Sequence, residues 1–185
     1  KEESRYDYFQ RTSFTPIQWK KLKLLSNKLK IKIISSPFSI EAFKMLYKSG
    51  IKNIKLASGE VSNTSLLEEI ARKDDVNIIL SSGMSDFKEL DRAYKILKNN
   101  NLAILQCTSA YPCPPEKVGL NIIADISNRY KVPYGLSDHT EGYAAAFAAV
   151  ALGANIIEKH FTFSKQMYGR DAKNSMEPDQ FEVFS

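Results

Sequence analysis

Cysteine is scarce in this sequence of 185 residues, where Cys107 and Cys113 are the only two. Two thiols in a chain of this length do not form the disulfide framework of a small secreted domain, so we expect both to be reduced. Long apolar runs are also missing, since the longest, 144–152, falls far short of the roughly 18 residues that a membrane-spanning helix needs. Segment 1–14 has no apolar centre of a secretory signal. We therefore expect a cytoplasmic protein without a membrane partner.

Charge of one sign is not strongly dominant, because 26 Lys and Arg residues stand against 21 Asp and Glu residues, a formal net charge of +5. The lysines are spread along predicted helices without interleaved aromatic residues, which indicates solvated helix faces rather than a nucleic-acid surface. The sequence also has neither a Walker A motif nor a G-x-G-x-x-G motif, which disfavours nucleotide ligands. Nucleic acid is therefore not an expected partner, whereas a small acidic substrate is compatible with the mildly basic balance.

The sequence does contain short β-branched segments that alternate with helical patterns, which is typical of parallel βαβ units. Each segment is nearly continuous in apolar residues, as expected for strands that are covered on both faces. The predicted strands are 32–36, 54–58, 77–81, 103–107, 134–137 and 155–158. The clearest predicted helices are 17–30, 39–48, 63–71, 86–98 and 143–152, with a further helix at 179–184.

Polar residues follow every predicted strand, and this distribution distinguishes two α/β folds. A doubly wound sheet takes its functional residues from the strands at one topological switch point. A TIM barrel gathers the ends of all its strands at one mouth, so the polar clusters predict a TIM (β/α)8 barrel. They lie at 35–37, 58–60, 81–83, 108–111, 137–139 and 158–160. That fold has eight strands and about 250 residues. We therefore interpret 1–185 as a partial catalytic domain of about six strand–helix units, with edge strands at 32–36 and 155–158.

His139 and His160 are the only histidines, and each comes directly after a predicted strand. Neighbouring strands lie about 5 Å apart, so the two imidazoles are expected to face each other at the mouth. Imidazole is the commonest metal ligand, and a pair without cysteine ligands suits a divalent cation that keeps open positions for water or substrate. Two hydrogen-bonding histidines without a metal fit the spacing equally well. Asp138, Glu158 and Asp171 are near in sequence and are candidates for orienting a histidine or a water.

Amine and hydroxyl donors follow several of the strands. Lys55 and the run Ser-Gly-Glu at 58–60 place an amine, a hydroxyl and a flexible backbone at one strand end. Further hydroxyls come from Ser36, Ser81, Ser82 and Ser137. A phosphate or carboxylate needs several short donors for its oxygens, so this combination predicts an anionic substrate. Serine and glycine also populate loops for conformational reasons. That alternative is strong for any one position and weak for five strand ends together.

Segment 107–115 reads Cys-Thr-Ser-Ala-Tyr-Pro-Cys-Pro-Pro and predicts a rigid loop, because proline restricts the residue before it. Tyr111 can hydrogen-bond and pack against a substrate, or it can serve only as a structural corner. Cys107 is a weaker candidate for a nucleophile, because the only cationic partner that the fold can bring to it is His139.

Six short motifs occur in a fixed order along the chain. They are Ser-Ser-Pro-Phe-Ser at 35–39, Lys-Leu-Ala-Ser-Gly-Glu at 55–60, Ser-Ser-Gly-Met-Ser at 81–85, Cys-Thr-Ser-Ala-Tyr-Pro at 107–112, Gly-Leu-Ser-Asp-His-Thr at 135–140 and Glu-Lys-His-Phe-Thr at 158–162. Together with Met-Glu-Pro at 176–178, they resemble the sialic acid synthase family, which includes N-acetylneuraminate, legionaminate and pseudaminate synthases. The resemblance runs from Thr15 to the end of the chain.

The resemblance implies a TIM barrel followed by an antifreeze-like domain that is shared across a homodimer. It implies a transferase that condenses phosphoenolpyruvate with an open-chain N-acetylated hexosamine, such as N-acetylmannosamine, and releases phosphate to leave a nonulosonic acid. It also implies a divalent metal, manganese with magnesium or cobalt as alternatives, which His139 and His160 bind and which polarises the sugar aldehyde. The family's upstream glutamate and lysine and its C-terminal arginine have no counterpart in this sequence.

The resemblance also assigns individual site residues. The phosphoenolpyruvate contacts that it implies are Ser36, Lys55, Ser58, Ser81, Ser109, Tyr111 and Ser137. It implies catalytic roles for Glu158, Lys55 and Asp171, with Glu158 handling a proton. The family can carry Asn at position 109 and often carries Thr at position 36, so Ser109 changes one donor whereas Ser36 keeps its hydroxyl.

Two other functions are compatible with the same residues. A metal-dependent aldolase, or another barrel synthase that uses phosphoenolpyruvate, would share the anion donors and the histidine pair. The second of these functions is that of a non-catalytic barrel that binds sugars. Lys55 and the paired histidines count against it, because a binding module needs neither.

Overall fold

A computed structural model describes residues 3–185. Lys1 and Glu2, the first residues of the segment 1–14 considered above, lie outside this range. The helices are α1 (Arg5–Thr12), α2 (Pro16–Leu29), α3 (Ile40–Lys48), α4 (Thr64–Ala71), α5 (Phe87–Leu97), α6 (Leu120–Tyr130), α7 (Ala144–Ala151) and α8 (Pro178–Phe184). The strands are β1 (Ile34–Ser35), β2 (Asn53–Leu56), β3 (Asn77–Ser81), β4 (Asn101–Cys107), β5 (Tyr134–Asp138) and β6 (Ile156–Lys159). Within residues 3–185, none of the helices combines the length and the apolar character that crossing a bilayer demands.

All six strands are parallel and pair in chain order, from β1 at one edge to β6 at the other. In a flat sheet the four steps from β2 to β6 would span roughly 19 Å, at about 4.8 Å per step. Lys55 on β2 nevertheless places its Nζ 3.0 Å from Oε2 of Glu158 on β6. The sheet is therefore strongly curled, and its interior side chains meet across the mouth. This confirms the prediction of about six strand–helix units of a TIM barrel, and the edge strands are those that the sequence predicts.

The main hydrophobic core lies between the sheet and the helices. Alternate residues of β2, β3 and β4 face outward and are almost completely buried, among them Ile54, Ile78 and Ile104. They belong to one cluster with apolar residues of α4 and α5, such as Leu66 and Leu90. Because side chains alternate along a strand, the remaining residues of the same strands face the barrel interior. This alternation brings the polar residues near the strand ends into the mouth.

An asparagine begins three consecutive strands, and the three side chains form a hydrogen-bonded ladder. Asn53, Asn77 and Asn101 are register partners on β2, β3 and β4. Asn101 Nδ2 donates to Asn77 Oδ1 at 2.7 Å, and Asn77 Nδ2 donates to Asn53 Oδ1 at 2.8 Å. Asn53 Nδ2 donates in turn to the carbonyl of Ile33 at 3.1 Å. The ladder keeps the amino ends of these strands in register.

Most helix starts follow the capping signals in the sequence. Thr15 caps α2 and Asp86 caps α5, each through a capping box with the residue three positions later. Helix α6 is not among the helices that the sequence predicts explicitly, because its N-cap is Gly119, which offers no side-chain acceptor. Strand β1 is shorter than the predicted 32–36, since it is an edge strand that pairs only with β2.

Candidate active site

Polar residues at the carboxyl ends of the strands line one cavity of about 310 Å³ at the mouth of the curled sheet. The predicted site residues among them are Ser36, Lys55, Ser58, Ser81, Ser109, Tyr111, Ser137, His139, Glu158 and His160. Ala57, Gly59, Met84 and Cys107 complete the lining. The barrel mouth thus collects residues from every strand, as a TIM barrel does and a doubly wound sheet does not.

Hydroxyl donors from separate loops approach one another around Gly83, which follows β3. A Cβ built on Gly83 would lie 2.7 Å from Ser58 Oγ, 2.9 Å from Ser109 Oγ and 3.1 Å from the carbonyl oxygen of Cys107. A side chain at this position would therefore displace both hydroxyls and press closely on the Cys107 carbonyl. Ser58 Oγ also donates to Cys107 Sγ at 3.3 Å. Glycine at position 83 allows two hydroxyls, which follow β2 and β4, to come within reach of one small ligand group.

Lys55 is paired with Glu158 inside the cavity. Lys55 Nζ lies 3.0 Å from Glu158 Oε2, and the two side chains are 13% and 42% exposed. An anion that binds Lys55 must therefore share the ammonium group with this carboxylate or displace it. Ser81 Oγ is buried and has no hydrogen-bond partner among residues 3–185. A ligand oxygen would satisfy it, since buried hydroxyls are rarely left without a partner.

His139 and His160 lie directly beyond β5 and β6, with ring centroids 5.3 Å apart. His139 Nδ1 is 3.0 Å from the carbonyl oxygen of Thr108. A carbonyl only accepts, so Nδ1 carries a proton, and in the neutral ring Nε2 carries the lone pair. Metal-binding histidines are commonly anchored in this way. Within residues 3–185 no group of three or more His, Cys, Asp or Glu side chains is arranged to hold a metal. A cation held by these two imidazoles would have to take its other ligands from water or substrate.

The two imidazoles differ in their proton affinity. Burial lowers the pKa of His160, and the negative charge of Asp171 opposes this only in part. Burial also disfavours the charged form of His139, but hydrogen bonds with Cys107 and the Thr108 carbonyl outweigh it and raise the pKa of His139. A cation must therefore compete with a proton more strongly at His139 than at His160.

Cys107 is in contact with His139, the only cationic partner that the sequence predicts for it. Burial raises the pKa of the Cys107 thiol, but hydrogen bonds with His139 and Ser58 outweigh burial and bring that pKa below its ordinary value. The thiol is buried, so its access to a substrate is restricted. Cys107 and Cys113 are both free, as the sequence predicts.

Tyr111 lies against both histidines, with its ring centroid 4.3 Å from that of His139 and 5.7 Å from that of His160. Burial raises the pKa of Tyr111, so its phenol stays protonated at neutral pH and can donate a hydrogen bond. Asp171 does not line the cavity and is exposed, at the N-cap of the 3-10 turn Ala172–Asn174. Its charge nevertheless influences the pKa of both Tyr111 and His160. A catalytic role for Asp171 stays a prediction.

Asp138 makes no hydrogen bond to either imidazole, which corrects the expectation that its carboxylate could orient a histidine directly. Its Oδ2 accepts a hydrogen bond from Lys159 Nζ at 2.7 Å, and both side chains are buried. The alternation along β5 turns Ser137 and His139 into the cavity and the residue between them away from it. Sequence reasoning missed Lys159, whose only signal was a lysine directly after the predicted strand 155–158. It also missed the Thr108 carbonyl, for which a sequence carries no signal.

Comparisons with known proteins identify the family of this chain. The family model described as NeuB family matches residues 1–185. N,N'-diacetyllegionaminic acid synthase from Campylobacter jejuni is 37% identical over 187 residues, which cover 98% of this chain and 56% of that protein. Pseudaminic acid synthase from Helicobacter pylori is 36% identical over 184 residues, with 97% and 54% covered. The crystal structure of N-acetylneuraminic acid synthetase from Leptospira borgpetersenii, in complex with citrate, has a TM-score of 0.89 at 33% identity. That similarity covers 93% of this chain and 61% of the other.

The chain spans about half the length of the curated relatives that it matches. The family match nevertheless extends over the whole chain, and it includes every strand end that contributes to the cavity. This chain belongs to the NeuB family.

Proposed function

We propose that the protein containing this chain condenses phosphoenolpyruvate with an open-chain N-acetylated hexosamine, and that it forms a nonulosonic acid with release of phosphate. One observation carries the proposal: a single cavity holds the anion donors around Lys55 together with the imidazoles of His139 and His160. An anionic substrate and a carbonyl substrate need these two kinds of group side by side. Relatives named for legionaminic and pseudaminic acid synthesis support the product class.

Phosphoenolpyruvate is a suitable ligand for the Lys55 end of the cavity. Among the described residues of the lining, Lys55 has the only ammonium group. Charge-assisted hydrogen bonds are roughly twice as strong as neutral ones, so Lys55 contributes most to holding a phosphate or carboxylate. The hydroxyls of Ser58 and Ser109 converge around Gly83 and add neutral donors.

His139 and His160 are proposed to hold a divalent cation, manganese with magnesium or cobalt as alternatives. The support is that the Thr108 carbonyl holds the Nδ1 proton of His139, so that Nε2 of the neutral ring carries a lone pair, and that the second imidazole is 5.3 Å away. Such a cation would supply Lewis-acid polarisation of the sugar aldehyde.

The remaining chemistry is assigned to side chains of the cavity. C3 of phosphoenolpyruvate forms a bond to the aldehyde carbon, whose oxygen takes up a proton, and Tyr111 is placed to donate a hydrogen bond to that oxygen. Water then adds to C2 and loses one proton, which balances the proton that the aldehyde oxygen takes up. The C2–O bond to phosphate breaks as the C2 hydroxyl gives its proton to the departing phosphate, and this leaves a ketone. Glu158 is the only carboxylate among the described residues that line the cavity, so we assign to it the proton that this water loses. Lys55, 3.0 Å away, stabilises its negative charge.

The full-length protein is further proposed to act as a homodimer in the cytoplasm. The dimer rests on the family resemblance alone. The compartment is supported by the two free thiols, which suit a reducing environment.

Product analysis of the full-length protein tests the reaction. The protein is incubated with phosphoenolpyruvate, Mn²⁺ and a panel of N-acetyl hexosamines, and the products are identified by mass together with the phosphate released. We expect one hexosamine to gain the pyruvyl unit with one phosphate released for each product. A product formed from pyruvate instead of phosphoenolpyruvate would identify an aldolase. Sugar binding without any phosphate release would identify a non-catalytic barrel.

Calorimetric titration with Mn²⁺ tests the metal ligands. We expect the double variant His139→Ala, His160→Ala to lose Mn²⁺ binding and activity, because both imidazole ligands are gone. Met84→Ala is the matched control, since it changes a lining residue that cannot serve as a strong ligand for this cation. An unchanged Mn²⁺ affinity in the double variant would contradict the assignment.

A further inference from the structure

We propose that Asp138 and Lys159 are a positioning pair that sets the separation of the imidazoles of His139 and His160. The inference rests on the proposed function in one respect, namely that the two imidazoles share a cation. Neither member of the pair lines the cavity. Each is the residue directly before one of the histidines, and the two face each other on the outward side of the sheet.

The pair is part of a closed network around the backbone of His139. Lys159 Nζ donates to Asp138 Oδ2 at 2.7 Å and to the carbonyl oxygen of Thr140 at 2.8 Å. The backbone N–H of Thr140 donates to Asp138 Oδ1 at 2.8 Å. The residues on both sides of His139 are therefore fixed to one side chain of β6, and that side chain immediately precedes His160.

The backbone ladder does not provide this connection. The register pairs of β5 and β6 end at Asp138 and Lys159, one residue short of the histidines. Beyond this point the side-chain network is what joins the two chain segments. A change in the length or charge of either member is therefore expected to alter the distance between the rings, which is 5.3 Å here.

Stability alone is a poor explanation for a charged pair at this position. The Asp138 and Lys159 side chains are 0% and 8% exposed, so both charges are removed from water. Desolvation of two ions offsets most of their attraction, and apolar residues of similar volume are often equally stable in their place. The preceding pair on the same face, Leu136 and Ile157, is apolar. An ion pair where the strand pattern favours aliphatic residues indicates a requirement for defined geometry.

The test compares the full-length protein with its Asp138→Asn, Lys159→Met double variant. This variant keeps the acceptor for the Thr140 N–H, leaves the net charge unchanged and removes the ion pair. We expect the folded variant to bind Mn²⁺ about 10- to 100-fold more weakly, as changes to groups that orient metal ligands do. The KM for phosphoenolpyruvate, which depends on Lys55, should stay within about twofold at saturating Mn²⁺. The conservative single variant Lys159→Arg keeps a charged donor opposite Asp138, so its Mn²⁺ affinity should be close to that of the parent protein.

Lys173→Met is the matched control, because it removes an exposed lysine from the same region without breaking the network, and its Mn²⁺ affinity should equal that of the parent protein. A folded double variant with unchanged Mn²⁺ affinity and unchanged ring separation in its crystal structure overturns the proposal. So does a parallel loss of Mn²⁺ affinity, phosphoenolpyruvate affinity and thermal stability, since that result indicates a merely structural role. If the double variant does not fold, Lys159→Gln is judged by the same criteria.

Failure of the proposed function is distinguishable from failure of this inference. If the parent protein binds no Mn²⁺, the assigned metal role is wrong. The crystal structures of the parent and the double variant then decide the positioning role by the distance between the imidazole rings. An altered distance supports it, and an unaltered distance overturns it.

Discussion

At the level of a single residue, Lys55 has two interactions that compete for its ammonium group. It is the charged donor for the proposed anionic substrate, and it is also the partner of Glu158 at 3.0 Å. Removing the lysine and removing the charge of its partner should therefore change substrate binding in opposite directions.

Lys55→Ala is expected to raise the KM for phosphoenolpyruvate roughly tenfold to a hundredfold, because hydrogen bonds to charged groups contribute about 1.5–3 kcal/mol. Glu158→Gln should instead lower that KM about two- to fivefold, since a partly exposed ion pair contributes up to roughly 1 kcal/mol. It should also lower kcat, because the proposed proton acceptor is lost. Steady-state kinetics at saturating hexosamine measure both effects.

The matched control for these variants is Glu141→Gln, which neutralises an exposed carboxylate outside the cavity lining and should leave both constants unchanged. If Lys55→Ala altered only the KM for the hexosamine, Lys55 would not be the anion donor.

Residue chemistry made much of this site predictable from the sequence. Lys55, His139 and His160 are conspicuous because an amine and the only two imidazoles of the sequence lie at or directly after predicted strands, whose ends meet at one mouth. The Asp138–Lys159 pair was not predictable, because alternation shows that both side chains face outward but not that they contact each other.

At the level of elements, α5 and α6 are joined by a charged cluster. Arg129 Nε of α6 donates to Asp91 Oδ1 of α5 at 2.7 Å, and the Tyr130 hydroxyl donates to the same oxygen at 2.9 Å. The Arg129 guanidinium lowers the pKa of Asp91 to about 2. A carboxyl group with a lowered pKa stabilises the fold above its ordinary pKa, and this contribution is lost as the pH falls toward the lowered value.

Asp91→Asn is therefore expected to reduce the free energy of unfolding at pH 7 by about 0.5–1 kcal/mol, a value limited by the partial exposure of both partners. The deficit relative to the parent protein should shrink between about pH 4 and pH 2, where the parent loses the same contribution. Urea unfolding across this range measures it. Asp74→Asn, at an exposed position, is the control, and a pH-independent deficit in Asp91→Asn would contradict the ion-pair explanation.

Elements with strong local signals were predictable, and those defined by tertiary contacts were not. The predicted strand 77–81 coincides with β3, because it is an apolar run with a strand on each side. The predicted strand 32–36 is longer than the observed strand β1, because the extent of β1 depends on its pairing with β2 alone. The start of α6 follows a glycine with φ of 72°, which gives no capping signal in a sequence.

At the level of the whole molecule, the described chain exposes a large apolar surface near its first strand. Ile17, Leu24 and Leu29 of α2 and Ile31 are each more than half exposed. The sheet also has two open edges, β1 and β6. Open edges and apolar patches both promote association between chains.

The 185-residue chain on its own is accordingly expected to be inactive and to self-associate, which light scattering after size-exclusion chromatography measures. The variant Ile17→Lys, Leu24→Lys should reduce association, because it places charges on the exposed face of α2. Lys20→Gln, Lys28→Gln changes the same helix without reducing apolar area and should not reduce association. A monodisperse 185-residue monomer that unfolds cooperatively and makes product would contradict the expectation.

The ion pair between Lys55 and Glu158 also measures the stagger of the strands. The register joins Lys55 to Ile79 and Ile79 to Ala103. Continued through β5 and β6, the same line reaches Ala154, four residues before Glu158. The contact across the mouth therefore connects positions displaced by one residue for each of the four strand steps. A barrel of eight strands with a shear number of eight has this displacement, and its strands tilt about 36° from the barrel axis. Because of this tilt, the line of register partners that starts at Lys55 lies lower along the barrel axis when it reaches β6. Glu158, four residues further along β6, is therefore at a height similar to that of Lys55, and the two charges can meet.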